Sequence, residues 1–249
     1  MKRNTFLDAY RGFSLVSMIF FHGYYDLVYI FGWIRNVFPG WFIHGWQQTI
    51  VLSFIFISGA ATMYSEKTFK RGMVLTGWGL VITAVTFFFM PAELIVFGVI
   101  SFLGAAFLLL APFQQPLKKL PEGDKFLLGG IVVCLAAFTL TQGLPHGYWG
   151  IYGWEILRLP RHFSNIGTFV LGLPTAGILS ADYVPIFPHI FVFLGGRFYW
   201  QYRGGIEIKI KNNFLPGLGQ HSLVLYLLHQ PILYGLGCLC IHVYKLFLA

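Results

Sequence analysis

Seven stretches of this chain reach bilayer-spanning length or come close to it: residues 6–31, 48–64, 72–90, 93–112, 126–142, 184–200 and 221–245. A helix needs about 20 largely apolar residues to cross the hydrocarbon core. The pattern therefore predicts an all-α, polytopic membrane helix bundle of about seven transmembrane helices. Composition agrees, with 57% apolar and 10% charged residues among 249 and a mean hydropathy of +0.69. Those values exclude an ordinary soluble domain and a disordered chain. Aromatic residues make up 19%, as expected where Trp and Tyr line both membrane interfaces. With no internal repeat and no soluble domain in view, residues 1–249 read as a single membrane-embedded domain.

The net charge of +8 is carried by residues scattered between apolar spans, a pattern of topology determinants rather than of nucleic-acid binding. With the N-terminus inside, the inner side collects Lys2, Arg3, Lys67, Lys70, Arg71, Lys118, Lys119, Lys125, Arg197, Arg203, Lys209 and Lys211, twelve in all. The outer side holds four, Arg35, Arg158, Arg161 and Lys245. This bias predicts the N-terminus inside and the C-terminus outside. Met1–Arg3 reads as the inner flank of a retained anchor rather than as part of a signal peptide. Residues 163–181 are apolar enough to tempt an eighth span. Asn165, Gly172 and Pro174 make a poor lipid-facing helix, so a surface or re-entrant segment is expected within a long outer excursion over 142–183. Cys134, Cys238 and Cys240 all lie in apolar stretches and read as buried packing residues, not a disulfide framework.

Chemistry concentrates in the first span. Ionisable groups at bilayer depth are costly and mark functional sites by default. At about 100° per residue, Asp8, Arg11, His22 and Asp26 fall on one narrow stripe about 27 Å long. Asp8 and Arg11 are i,i+3 neighbours, and His22 and Asp26 are i,i+4 neighbours. A carboxylate beside an imidazole is a usual way to make a general base. The bland alternative is a snorkelling Arg11 paired with Asp8, and a His22 that only hydrogen-bonds across helices. A second stripe, Ser222, Tyr226 and His229, lies on the last span beside Gln230 and Pro231, and it too could be interhelical glue. His44 and Trp46 precede the second span, and Asp182 and Tyr183 precede the sixth. His146 and His162 read as loop residues, and His189 is ambiguous. No metal-ligand spacing, nucleophile elbow or phosphate-cradling loop is present, so no metal is expected.

The opening LDAYRGFSLVSMIFFHGYYDLVY resembles that of small bacterial membrane proteins related to the catalytic domain of heparan-α-glucosaminide N-acetyltransferase. Arg11 and His22, ten residues apart, more remotely resemble the first-helix Arg…His pair of the integral-membrane acyltransferase-3 group. The likeness continues in order through FIFISGAA, KRG, FGVISFLG, SADYVPIFP and LGQHSLVLYLLHQPIL. It implies transfer of an acetyl group from acetyl-CoA, as co-substrate, to a sugar hydroxyl or amine. In the eukaryotic enzyme an Asn stands at the place of His22 and the catalytic His lies in the following outer loop, where His44 is the histidine here. Ser101 stands where relatives often carry His.

The resulting expectation is an integral acyltransferase of a bacterial cell membrane, acting on an envelope carbohydrate or glycolipid. His22, oriented by Asp26, is the expected base, with His44 as the competing catalytic candidate. Asp8, Arg11, Tyr226, His229 and Gln230 would bind the donor, and Trp46, Asp182 and Tyr183 the acceptor. The lipid bilayer is the expected partner, nucleic acid is not, and a homo-oligomer is compatible with the sequence. Rival readings are a small transporter or flippase using the same stripe as a proton or solute pathway, and a non-catalytic membrane assembly subunit.

Overall fold

The computed structural model describes residues 4–151, 153–160, 165–175, 177–206, 208, 210 and 213–248, with side chains up to Val243. Lys2, Arg3, Arg161, His162, Lys209, Lys211 and the side chain of Lys245 lie outside the described residues. The chain divides into two compact units, one of Ile55–Ile206 and one of Lys2–Phe54 with Glu207–Ala249.

The unit made from the two chain ends begins with α1 (Thr5–Tyr25). Asn4 starts this helix, its Oδ1 accepting the Leu7 N–H at 3.0 Å, a standard N-cap that satisfies an otherwise orphaned donor. The helix continues as a π-helical turn over Asp26–Ile30. Such widened turns are rare and recur at functional sites. α2 (Gly40–Ala61) crosses the boundary between the units, its residues up to Phe54 belonging here. The chain returns in α9 (Phe214–Gln220) and α10 (Ser222–Leu248), which contains Pro231. Proline has no N–H to give the Leu227 carbonyl, which weakens the helix one turn above His229. Leu15, Met18, Phe21, Ile50 and Phe54 form a buried core, with Trp46, Leu225 and Tyr226 packed against it.

Two glycines set the approach of α9 to α1. A Cβ on Gly219 would fall on the Asp8 carbonyl oxygen, and one on Gly12 on the Leu215 carbonyl oxygen. Only hydrogen fits there, so the backbones come into direct contact. This explains the GQHS element in physical terms: it is a packing surface for the first helix.

The other unit holds the last turns of α2, then α3 (Thr68–Phe89), α4 (Val99–Leu110), α5 (Gln114–Lys118), α6 (Lys125–Thr141), α7 (Ile166–Leu171) and α8 (Ile186–Tyr202). α2 and α8 meet through the same device: a Cβ on Gly59 would strike the Phe193 carbonyl oxygen, and one on Gly196 that of Phe56. Ser101 packs over Gly79 between α4 and α3, so the residue that departs from the relatives' His serves a helix contact.

Among the described residues, five helical stretches are long and apolar enough to cross a membrane: Thr5–Ile30, Thr68–Phe89, Val99–Lys118, Lys125–His146 and Ser222–Val243. Two of the seven expected spans, 48–64 and 184–200, are helical but not among these five: they correspond to α2, whose first half is rich in Trp, His and Gln, and the 17-residue α8. The outer faces are apolar, with Phe87, Phe88 and Phe89 and, on α6, Val132, Val133 and Leu135 all exposed. Such faces suit lipid.

Two expectations need correction, and one element is not foreseen. Within 142–183 the fold is not purely helical: β1 (Tyr148–Ile151) and β2 (Trp154–Arg158) form an antiparallel hairpin. Trp and Ile alternate there, and the Tyr148 hydroxyl accepts the Gly153 N–H at 2.9 Å, which ties the turn. Cys134 is buried as expected, but Cys238 and Cys240 are exposed on α10. Arg197 is not a loop charge; it lies inside α8 and is fully buried. The described part of 163–181 contains only the six-residue α7, ended by Gly172 at φ 89, so no eighth span forms there.

Candidate active site

The polar stripe of α1 meets that of α10. The His22 and His229 rings lie 4.9 Å apart between centroids, tilted by 58°, and the Tyr226 ring is 5.5 Å from that of His229. The His229 Nδ1–H donates to the Tyr226 carbonyl at 2.6 Å. That bond assigns the neutral ring its tautomer and leaves Nε2 with the lone pair. Nε2 is buried, with no hydrogen-bond partner among the described residues.

Beside it, the Gln230 Nε2–H donates to the Asp26 Oδ1 at 2.9 Å. Asp26 is only 3% exposed. Its second oxygen and the Gln230 carbonyl oxygen are buried without partners among the described residues. A native fold rarely leaves such groups unsatisfied without reason. The cluster therefore presents three open acceptors: an imidazole nitrogen, a carboxylate oxygen and an amide oxygen. A ligand rich in O–H or N–H donors would complete it.

This geometry corrects one expected contact. Asp26 does not orient His22; its carboxylate is held by Gln230. The Asp26 N–H still bonds the His22 carbonyl in α-helical fashion, but Gln230 on α10 offers the carboxylate a donor within reach.

Toward the start of α1, Arg11 Nη1 donates to Asp8 Oδ1 at 3.3 Å, as its i,i+3 spacing predicts. Asp8 is buried, and the Arg11 side chain is 19% exposed. From Arg11 to His22 is 11 residues, about 16 Å along the helix.

The remaining predicted residues stand elsewhere. His44 is not in a loop: it sits in the second turn of α2 and is exposed. Trp46 is an anchor between helices, its Nε1–H donating to Ser17 Oγ at 2.9 Å and its ring edge-on to Phe21 at 5.4 Å. Sequence reasoning passes over Ser17, because one hydroxyl in a span carries no signal without its partner. Asp182 and Tyr183 belong to the Ile55–Ile206 unit. Asp182 Oδ2 accepts the Val99 N–H at 3.3 Å, capping the start of α4. The Tyr183 hydroxyl donates to the Phe169 carbonyl at 2.6 Å, and the two rings stack at 4.3 Å. Burial pushes the Tyr183 phenol up to about 12, since phenolate is disfavoured away from water. Tyr183→Phe removes one hydrogen bond and should cost about 1 kcal/mol of stability, read as a small fall in melting temperature with transfer activity nearly unchanged. His146 stacks on Tyr148 at 6.4 Å, and His189 Nδ1–H donates to the Pro185 carbonyl at 3.0 Å. Among the described residues no three His, Cys, Asp or Glu side chains converge on a metal position.

The catalytic family model of heparan-alpha-glucosaminide N-acetyltransferase matches residues 3–231. The chain belongs to that family. No curated protein and no solved structure matches it. As a member of the heparan-alpha-glucosaminide N-acetyltransferase catalytic family with five apolar helices of spanning length, it is a membrane protein of the transferase class. The matched span takes in α1 and reaches Gln230 and Pro231 in α10, so every residue of the His22, Asp26, His229 and Gln230 cluster falls inside it.

Proposed function

We propose that the protein transfers an acetyl group from acetyl-CoA to a hydroxyl or amine of an envelope carbohydrate or glycolipid, with its N-terminal end on the inner face of a bacterial cell membrane. The observation that carries this reading is the set of open acceptors around His229. A sugar offers several O–H or N–H donors at short spacing, the complement of a carboxylate, an amide oxygen and an imidazole lone pair.

In this reading the acceptor is gripped by Asp26 Oδ2 and the Gln230 amide oxygen. His229 Nε2 takes the proton from the attacking hydroxyl or amine as it bonds to the thioester carbonyl carbon. His22, packed on the His229 ring, flanks the reacting group and shares the proton-accepting duty. The Tyr226 hydroxyl donates to the tetrahedral oxygen, where charge develops. The carbon–sulfur bond then breaks, and the proton passes from the imidazole to the CoA sulfur. Arg11, steadied by Asp8, lies about 16 Å down the helix and serves the negatively charged end of an extended donor.

The test is incubation of purified protein with acetyl-labelled acetyl-CoA, with and without envelope glycan extract. Label appearing in the carbohydrate fraction supports the reading. Solute uptake into proteoliposomes with no acetyl transfer would replace it with the transporter reading. If His22→Ala and His229→Ala both retain full transfer, the site lies elsewhere.

A further inference from the structure

Among the described residues, Arg197 is the largest fully buried side chain. Its Nε and both terminal nitrogens are buried and make no hydrogen bond among the described residues. Within Ile55–Ile206 the acidic residues are Glu66, Glu93, Glu122, Asp124, Glu155 and Asp182, and none forms an ion pair with it. A guanidinium stays protonated in proteins, and an uncompensated buried charge costs several kcal/mol.

Gln201, one turn beyond Arg197 on the same face of α8, donates through Nε2 to the Leu117 and Leu120 carbonyls at 2.7 and 2.8 Å. Gln114, at the head of that same segment, donates to the Thr62 and Ser65 carbonyls at 2.6 and 3.1 Å. These bonds draw the end of α2, residues 114–120 and the last turns of α8 together. The Ser65 and Thr68 hydroxyls, just before and at the start of α3, are also buried without partners among the described residues. Two hydroxyls and the start of a 22-residue helix add donor capacity of the kind that oxyanions use.

We propose that Arg197 is the centre of a second site, in the Ile55–Ile206 unit, for a phosphoryl group. A planar fork of five N–H donors matches phosphate oxygens in paired contacts, and Ser65 and Thr68 supply further hydroxyl donors. The phosphoryl group comes from a free phosphate, from the coenzyme or from an anionic lipid headgroup. Because the guanidinium has no solvent-exposed surface, the anion reaches it only when neighbouring side chains part. The proposal does not depend on the acetyl-transfer reading.

The experiment measures thermal unfolding of the purified full chain after incubation with three probes: inorganic phosphate, coenzyme A, and nanodiscs of phosphatidylglycerol set against phosphatidylcholine. At constant ionic strength, at least one probe should raise the wild-type melting temperature by several degrees in a saturable way, as expected for a ligand that binds the folded state. Sodium chloride should not. The effective probe identifies the source. Arg197→Met should lose the shift, and Arg197→Lys should need at least a tenfold higher probe concentration. His229→Ala should keep it in full, which separates failure here from failure of the transferase reading. If Arg197→Met does not fold, the Arg197→Lys titration and the wild-type arms decide. No saturable wild-type shift with any probe, or an equal shift in either Arg197 variant, overturns the proposal.

Discussion

His229→Ala is expected to lower acetyl transfer by about 10²–10⁴-fold, the usual contribution of a positioned general base. The ring is fixed on both sides: its Nδ1–H is committed to the Tyr226 carbonyl, and its face packs on His22. Alanine removes the lone pair while leaving space that water can enter, so binding of the acceptor should suffer less than turnover. His22→Ala should also reduce turnover, but by a smaller factor, since His22 flanks the group assigned the proton. The measurement is labelled acetyl transfer by purified variants under saturating donor, with kcat and KM separated. If His22→Ala loses far more than His229→Ala, the two imidazoles exchange roles. Asp26→Asn offers a finer check: an amide there can still accept from Gln230 but grips the acceptor less well, so KM should rise more than kcat falls.

Gly219→Leu is expected to be the most destructive single change to the fold of the unit formed by the chain ends. A Cβ at 219 lands on the Asp8 carbonyl oxygen, and no rotamer change relieves a clash with backbone. α9 must move off α1, which carries Arg11, His22 and Asp26. Overpacking of this kind costs about 1–3 kcal/mol or more, and the displacement should also abolish transfer. Gly217→Ala is the matched control, because a Cβ there meets nothing within 4 Å. It sits in the same helix and should be neutral or stabilising by about 0.4–1 kcal/mol, through loss of backbone freedom in the unfolded chain. Thermal unfolding and transfer assays on the pair check both statements. If Gly219→Leu melts with wild type, the close approach of α9 to α1 is wrong.

Much of this was legible in the chain. The Asp8–Arg11 ion pair and the shared face of Tyr226 and His229 both follow from helical periodicity, which depends only on spacing. What periodicity cannot give is the partner. Asp26 stands four residues from His22, and spacing alone pairs them; a carboxamide from α10, that of Gln230, makes the actual bond. His44 looked like a loop histidine because the second apolar span reads as starting at residue 48, yet the helix starts at Gly40. Trp46, Asp182 and Tyr183 carried the right residue types for sugar contact, but their polar atoms bond within the fold, to Ser17, to the Val99 N–H and to the Phe169 carbonyl. Arg197 was counted among topology charges, although a lone arginine inside an apolar stretch is itself a signal of function.

By itself, the sequence determined that this is a helical membrane protein, which family it belongs to, and which face of α1 carries its charges. Those properties reside in hydropathy and in residue order along single helices. Tertiary structure alone decided that His22 meets His229, that Asp26 is held by Gln230, and that Arg197 is buried with no hydrogen bond among the described residues. Each depends on groups far apart in the chain, brought together where glycine lets one backbone rest directly on another.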